Sequence, residues 1–174
     1  MGILAGNSKE EPLHYGEIFA IWGYLHAANS ALVAYQTFLN HADDEQLRNF
    51  ISDKIQNCIR PEIDQLERIL KVNGIGLPLA APERPFASNA QIPTGARFTD
   101  PEIAGGLAAD ITAGLVLCST IIGQSIREDI AAMFTQYHAL KLQYGSRLLR
   151  MKKEKGWLVP PPLHTSKPVI HGND

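Results

Sequence analysis

Apolar residues recur at intervals of three and four along four stretches of the chain, the spacing that aligns side chains on one face of a helix. Ile18, Trp22, Leu25, Leu32 and Leu39, with Asn29 and Gln36 on the same stripe, predict a first helix over residues 13–41. Leu47, Ile51, Ile55, Cys58, Leu66 and Ile69, with Glu62 among them, predict a second over residues 43–73. Asp43 is placed as its N-cap with Gln46 three residues on, and Asn73 and Gly74 close it. Pro61 removes a backbone donor inside this helix and predicts a kink. Asp100, Pro101 and Glu102 supply a cap, a first-turn proline and a dipole-matched acid for a third helix over residues 100–123. The period breaks near Gly123. Ser125 and Glu128 then read as a capping box opening a fourth helix over residues 125–155, with Lys152, Lys153 and Lys155 suiting its end before Gly156.

The stretch between the second and third helices, residues 75–99, carries Pro78, Pro82, Pro85 and Pro93 and no helical period. A helix of about 28 residues is about 42 Å long, and 25 extended residues reach roughly 80 Å. The connection can therefore run the length of a bundle. Short, long, short connections give the expected fold: all-α, one domain over residues 1–174, a ferritin-like antiparallel four-helix bundle with a long crossover between helices two and three. Residues 157–174, from Trp157 through Pro160, Pro161 and Pro162, read as an extended tail with apolar anchors. The third helix is rich in small residues, including Gly105, Gly106, Gly114 and Gly123, although glycine weakens a helix by about 1 kcal/mol relative to alanine. Two readings compensate for that: close packing on a bulky neighbour such as Trp22 or Phe134, or approach of a second copy of the chain.

Composition narrows the partners. The 174 residues are 45% apolar and 20% charged with a formal net charge of -2, which gives no electrostatic pull toward nucleic acid or an anionic membrane. No stretch is expected to approach the roughly 20 apolar residues of a membrane helix, and Met1 to Ser8 lacks the pattern of a secretory signal. Two cysteines, Cys58 and Cys118, are too few for a disulfide framework and fall on apolar stripes, so an intracellular, cytoplasmic setting is expected.

Each stripe holds a polar residue, and together Asn29, Glu62, Asp110 and Lys141, with His138 at an edge, form the candidate polar core layer. Counting outward from a turn near Gln124 sets Asp110 level with His138, with Lys141 one turn further, so an Asp110 contact with His138 or Lys141 is expected. One reading is a structural layer in which Lys141 neutralises Asp110 and Asn29 adds hydrogen bonds. The other is a metal site on Asp110 and His138, with Glu62 or His26 as further ligands, whose donors suit iron, manganese or zinc. The paired Glu-x-x-His of ferritin-like carboxylate enzymes is absent, and His14 and Glu17 show that spacing reversed. No phosphate-binding loop, nucleophile elbow or dinucleotide fingerprint is present either. No catalytic residue and no cofactor is predicted.

Three phrases carry a resemblance: Glu11-Pro-Leu-His-Tyr-Gly-Glu17, Gly123-Gln-Ser-Ile-Arg-Glu-Asp129 and Lys155-Gly-Trp-Leu-Val-Pro-Pro-Pro162. They resemble an uncharacterised ferritin-like family of spore-forming bacilli whose members often bear a spore-coat label. The resemblance runs over nearly the whole chain and implies the bundle fold, a structural or interaction role in the spore and, since members often carry two such modules, self-association through the third helix. It supplies no active site. The competing functional reading is a metal-binding or oxidative protein with an atypical site inside the bundle.

Overall fold

In the computed structural model, residues 11–162 and 164 are described; the expectations for Met1 to Ser8 and for the end of the tail lie outside them. Among the described residues there are no strands. The chain forms α1 (Tyr15–His41), α2 (Glu45–Lys54), a π turn (Ile55–Ile59), α3 (Arg60–Val72), α4 (Asp100–Gln124) and α5 (Glu128–Glu154). The segments from Glu45 to Val72 run on without a break, so four helical rods surround one core that includes Ile21, Leu25, Leu47, Leu66, Leu107 and Phe134. The α4 and α5 rods share the most extensive contact, and α1 packs on both α3 and α4.

Several helix ends differ from expectation. The N-cap of α2 is Asp44, whose side chain accepts from the Leu47 amide at 3.0 Å. Asp43 is displaced because its own amide, like that of Asp44, donates to the Asp100 carboxylate, at 2.9 and 3.1 Å. Asp100 is thereby committed to the α1–α2 turn, and Thr99 caps α4 through a capping box with Glu102. Ser125 ends α4 and does not open α5; the α5 N-cap is Arg127, with no side-chain cap bond. Gly74 (φ 70°) and Gly156 (φ 72°) close α3 and α5 in the same manner. Ile75 and Trp157 donate back to Leu70 and Lys152 at 2.9 Å, bonds that a left-handed residue makes available.

The kink expected at Pro61 takes the form of the π turn. The Arg60 amide donates to Ile55, five residues back, so the ladder slips by one residue just where Pro61 would have crowded the carbonyl four residues before it.

Residues 75–99 are pinned to α1 and to the turn that follows it. Trp22 donates to the Gly76 carbonyl at 3.0 Å, Gln36 pairs with Glu83 and the Arg84 amide, Asn40 with Pro85 and Ala87, and Asn89 with Asp43. Arg60 closes the strap through two bonds to Glu83. These contacts account for Gln36, one of the two polar residues on the α1 stripe.

The expectation about membrane-length segments is corrected: an 18-residue window within Thr94–Gln124 is long and apolar enough to cross a bilayer, and 22% of it is buried. Glycine and alanine dilute the apolar period there without adding charge. Its close neighbours are also not those expected. A Cβ at Gly106 would meet Phe38 at 3.1 Å and one at Gly114 would meet the Lys141 Cε at 2.8 Å, whereas Gly105 and Gly123 face nothing within 4 Å.

Candidate functional site

The polar layer is built as two ion pairs. Glu62, on the first turn of α3, is 3% exposed, and Lys141 reaches it from α5 with Nζ 2.7 Å from both carboxylate oxygens. The Tyr24 hydroxyl donates to Oε2 at 3.0 Å and the Cys58 thiol to Oε1 at 3.3 Å. The Cys118 thiol in turn reaches the Tyr24 oxygen at 3.5 Å. Lys141 can take this path only because α4 presents Gly114 beneath its aliphatic stem.

Burial opposes a charged Lys141, but the Glu62 carboxylate in contact outweighs it and raises the pKa above the ordinary lysine value. Burial, followed by the Glu62 charge, pushes the Cys58 thiol up to about 12 and holds Tyr24 well above the usual phenol range. Both groups therefore stay protonated as donors at neutral pH, and Cys58 offers no thiolate nucleophile.

The second pair is looser. Lys54, the last residue of α2, is 2% exposed, yet its nearest carboxylate oxygen, Asp110 Oδ2, lies 3.6 Å away, beyond hydrogen-bond distance. Its Nζ stands 4.7 Å from the centre of the Tyr35 ring, and the Tyr35 hydroxyl donates to Asp110 at 2.8 Å. The Asp110 side chain is 41% exposed. Here burial wins over the Asp110 charge, and the Lys54 pKa is lowered.

This arrangement corrects the expected partners. Lys141 neutralises Glu62 rather than Asp110, and Asp110 meets Tyr35 and Lys54 rather than His138. Gly114 lies against Lys141 and Ile111 against Gly145, so level positions on α4 and α5 are equidistant from the 127–128 region, not from Gln124. Asp110 is thus level with the neighbourhood of Gly145, about two turns from His138. His138 is half-buried and joins neither pair, and His26 stacks on Trp22 at the surface. Asn29 is buried, but lines a separate cleft with Arg60, Glu67 and Glu83. Among the described residues no three His, Cys, Asp or Glu side chains gather as a metal site.

Lys54, Tyr24 and Tyr35 are the members that the stripes did not single out. A signal existed: Lys54 lies four residues before Cys58 and eight before Glu62, on the face that both occupy.

Two of the three sequence phrases meet at the far end of the rods. His14 caps α1 through a capping box with Glu17, and the buried Glu17 carboxylate accepts from the Ile126 and Arg127 amides at 2.9 Å. Arg127 donates to the Glu11 carbonyl at 2.8 Å and pairs with Asp129 at 2.7 Å. In the third phrase, Lys155 binds the α2 cap Asp44 at 2.5 Å and Trp157 packs on the core.

Comparison with known proteins places the chain among relatives of the same fold. The sequence model of a family described as "Protein of unknown function (DUF3231)" matches residues 1–169. The chain is 52% identical over 167 residues to the uncharacterized protein YvdQ of Bacillus subtilis (strain 168), covering 96% of this chain and 98% of that one. It is also 52% identical to a crystallised "putative spore coat protein" of Bacillus halodurans, with a TM-score of 0.89 over 92% of this chain and 100% of the other. A two-domain protein of Anabaena variabilis with DJ-1/ThiJ/PfpI-like and ferritin-like domains matches at a TM-score of 0.63 and 16% identity. That match covers 95% of this chain and 43% of the other and bears on fold alone.

Proposed function

The chain belongs to the DUF3231 family, and on that premise we propose that it is a structural or interaction protein of the spore, without catalytic activity of its own. The observation that carries this reading is the likeness, at 52% identity, to the Bacillus halodurans protein described as a "putative spore coat protein". The core supports it. Where ferritin-like carboxylate enzymes hold metal ions between acids of facing helices, this chain has the ammonium groups of Lys141 and Lys54 beside Glu62 and Asp110.

The same reading takes the fold to be a ferritin-like antiparallel bundle in a single domain. Level contacts of Tyr24 with Glu62 and of Gly114 with Lys141 favour it, as does a strap over residues 75–99 that serves as the crossover. It assigns no membrane or nucleic-acid partner, since α4 packs on both α1 and α5 and bears Asp110 bonded to Tyr35. Self-association uses the exposed small-residue face of α4, around Gly105 and Val116. A tagged chain produced in sporulating Bacillus cells should be recovered in purified, washed spores. Its confinement to the mother-cell lysate would overturn the proposal. Elemental analysis of the purified protein should find no stoichiometric iron, manganese or zinc, and one or more ions per chain lost on Asp110→Ala would favour the metal-binding reading instead.

A further inference from the structure

A cavity of about 130 Å³ opens between α1 and α4 and is lined by both ion pairs, Lys54 with Asp110 and Lys141 with Glu62. The exposed Ala27 and Ala113 lie at its mouth with Ala31 and Leu117, and the charged groups Lys54, Glu62 and Lys141 line its depth beside Asp110. Lys54 is 2% exposed, lines this space, and has no hydrogen-bond acceptor among the described residues, the Asp110 oxygen being 3.6 Å away. The Lys54 side chain is largely desolvated while its Nζ faces the open cavity, and partial desolvation favours the neutral amine over the ammonium, so burial lowers the Lys54 pKa. The adjoining π turn is a feature that proteins place at functional sites more often than chance.

We propose that Lys54 is a nucleophilic amine that forms an imine with a small aldehyde admitted through this cavity. Charge decides the class of ligand. Lys54 and Lys141 already balance Glu62 and Asp110, so an entering anion would be buried without compensation, whereas a neutral carbonyl compound passes the alanine rim without that penalty. Size agrees, since a dry cavity of ~150 Å³ holds a six-carbon ring. In the reaction the Nζ lone pair attacks the carbonyl carbon, a C–N bond forms and the carbonyl oxygen takes up a proton. Loss of the remaining amine proton and of the hydroxyl as water then leaves the C=N bond. Solvent entering the open cavity takes up the proton of the ammonium and returns one to the departing hydroxyl, while Asp110, held by Tyr35 at 3.6 Å from Nζ, supplies the negative charge that favours the cationic intermediates.

The probe is propanal with dimethylamine borane, a small neutral reductant that can follow the aldehyde into the cavity, on the full chain, read by peptide mass mapping. Lys54 should be alkylated measurably faster than the exposed Lys71 and Lys153, because more of it is present as the free amine. Lys54→Met should abolish the fast adduct. Ala113→Leu, at an exposed rim position, should slow Lys54 labelling several-fold with Lys71 unchanged. Labelling of Lys54 no faster than Lys71, or insensitivity to Ala113→Leu, would overturn the proposal. Neither result bears on recovery of the protein in spores, so the two ideas fail separately.

Discussion

Two lysines with nearly equal burial stand in the same core and shift in opposite directions. Lys141 touches both oxygens of Glu62 at 2.7 Å and its pKa is raised, whereas Lys54 stands 3.6 Å from Asp110 and its pKa is lowered. Less than an ångström separates the two cases. The difference is that Glu62 is desolvated and held by Tyr24 and Cys58, so its charge acts at full strength through a low-dielectric interior, while Asp110 is 41% exposed and shares its charge with water. A buried lysine is thus a fixed structural cation or a reactive amine according to how completely its carboxylate is buried with it.

The largest test of that contrast removes one member of the tight pair. Glu62→Ala or Lys141→Met should each lose about 3–5 kcal/mol, because an unpaired charge stays buried, while the double replacement Glu62→Leu with Lys141→Met should recover most of it. Urea unfolding of the three variants measures this directly, and additive losses would show that the two groups do not form a pair.

The path of Lys141 can be tested from the other helix. Gly114→Ala should destabilise by about 1–3 kcal/mol despite the better helix propensity of alanine, since the added methyl meets the Lys141 stem at 2.8 Å. Gly105→Ala, which meets nothing within 4 Å, should gain up to about 1 kcal/mol. Thermal melts of the two side by side separate packing from propensity.

The loose pair should respond least. Lys54→Met should change stability by about 1 kcal/mol or less, since Asp110 remains solvated and bonded to Tyr35. In an NMR titration of ¹⁵N-labelled side-chain amines, Lys54 should lose its proton below the pH of exposed lysines and Lys141 above it. The folded state then binds fewer protons at Lys54 than the unfolded chain does just below ~10.4, so this group makes stability rise with pH there. The Lys141 contribution is fully present below ~10.4 and is lost as the pH rises through its raised folded value.

Much of the architecture was legible in the chain. The stripes around Leu25, Leu47, Leu107 and Leu148 gave four helical rods with ends accurate to within a few residues, because a 3.6-residue period is a local property. Gly74 and Gly156 marked helix ends for an equally local reason, their positive φ. The caps were misplaced where a distant group intervened, as when Asp100 reached across to the amides of Asp43 and Asp44.

The polar layer divides along the same line. Composition and period determined that Glu62 and Lys141 would be buried and would need partners, since apolar neighbours three and four residues away leave a charged side chain nowhere else to go. Only the tertiary structure decided that they would serve one another and that Asp110 would fall to Lys54 and Tyr35. Pairing across helices depends on azimuth and register, which the length of a turn at residues 125–127 shifts by two helical turns and which no residue spacing within a single helix encodes.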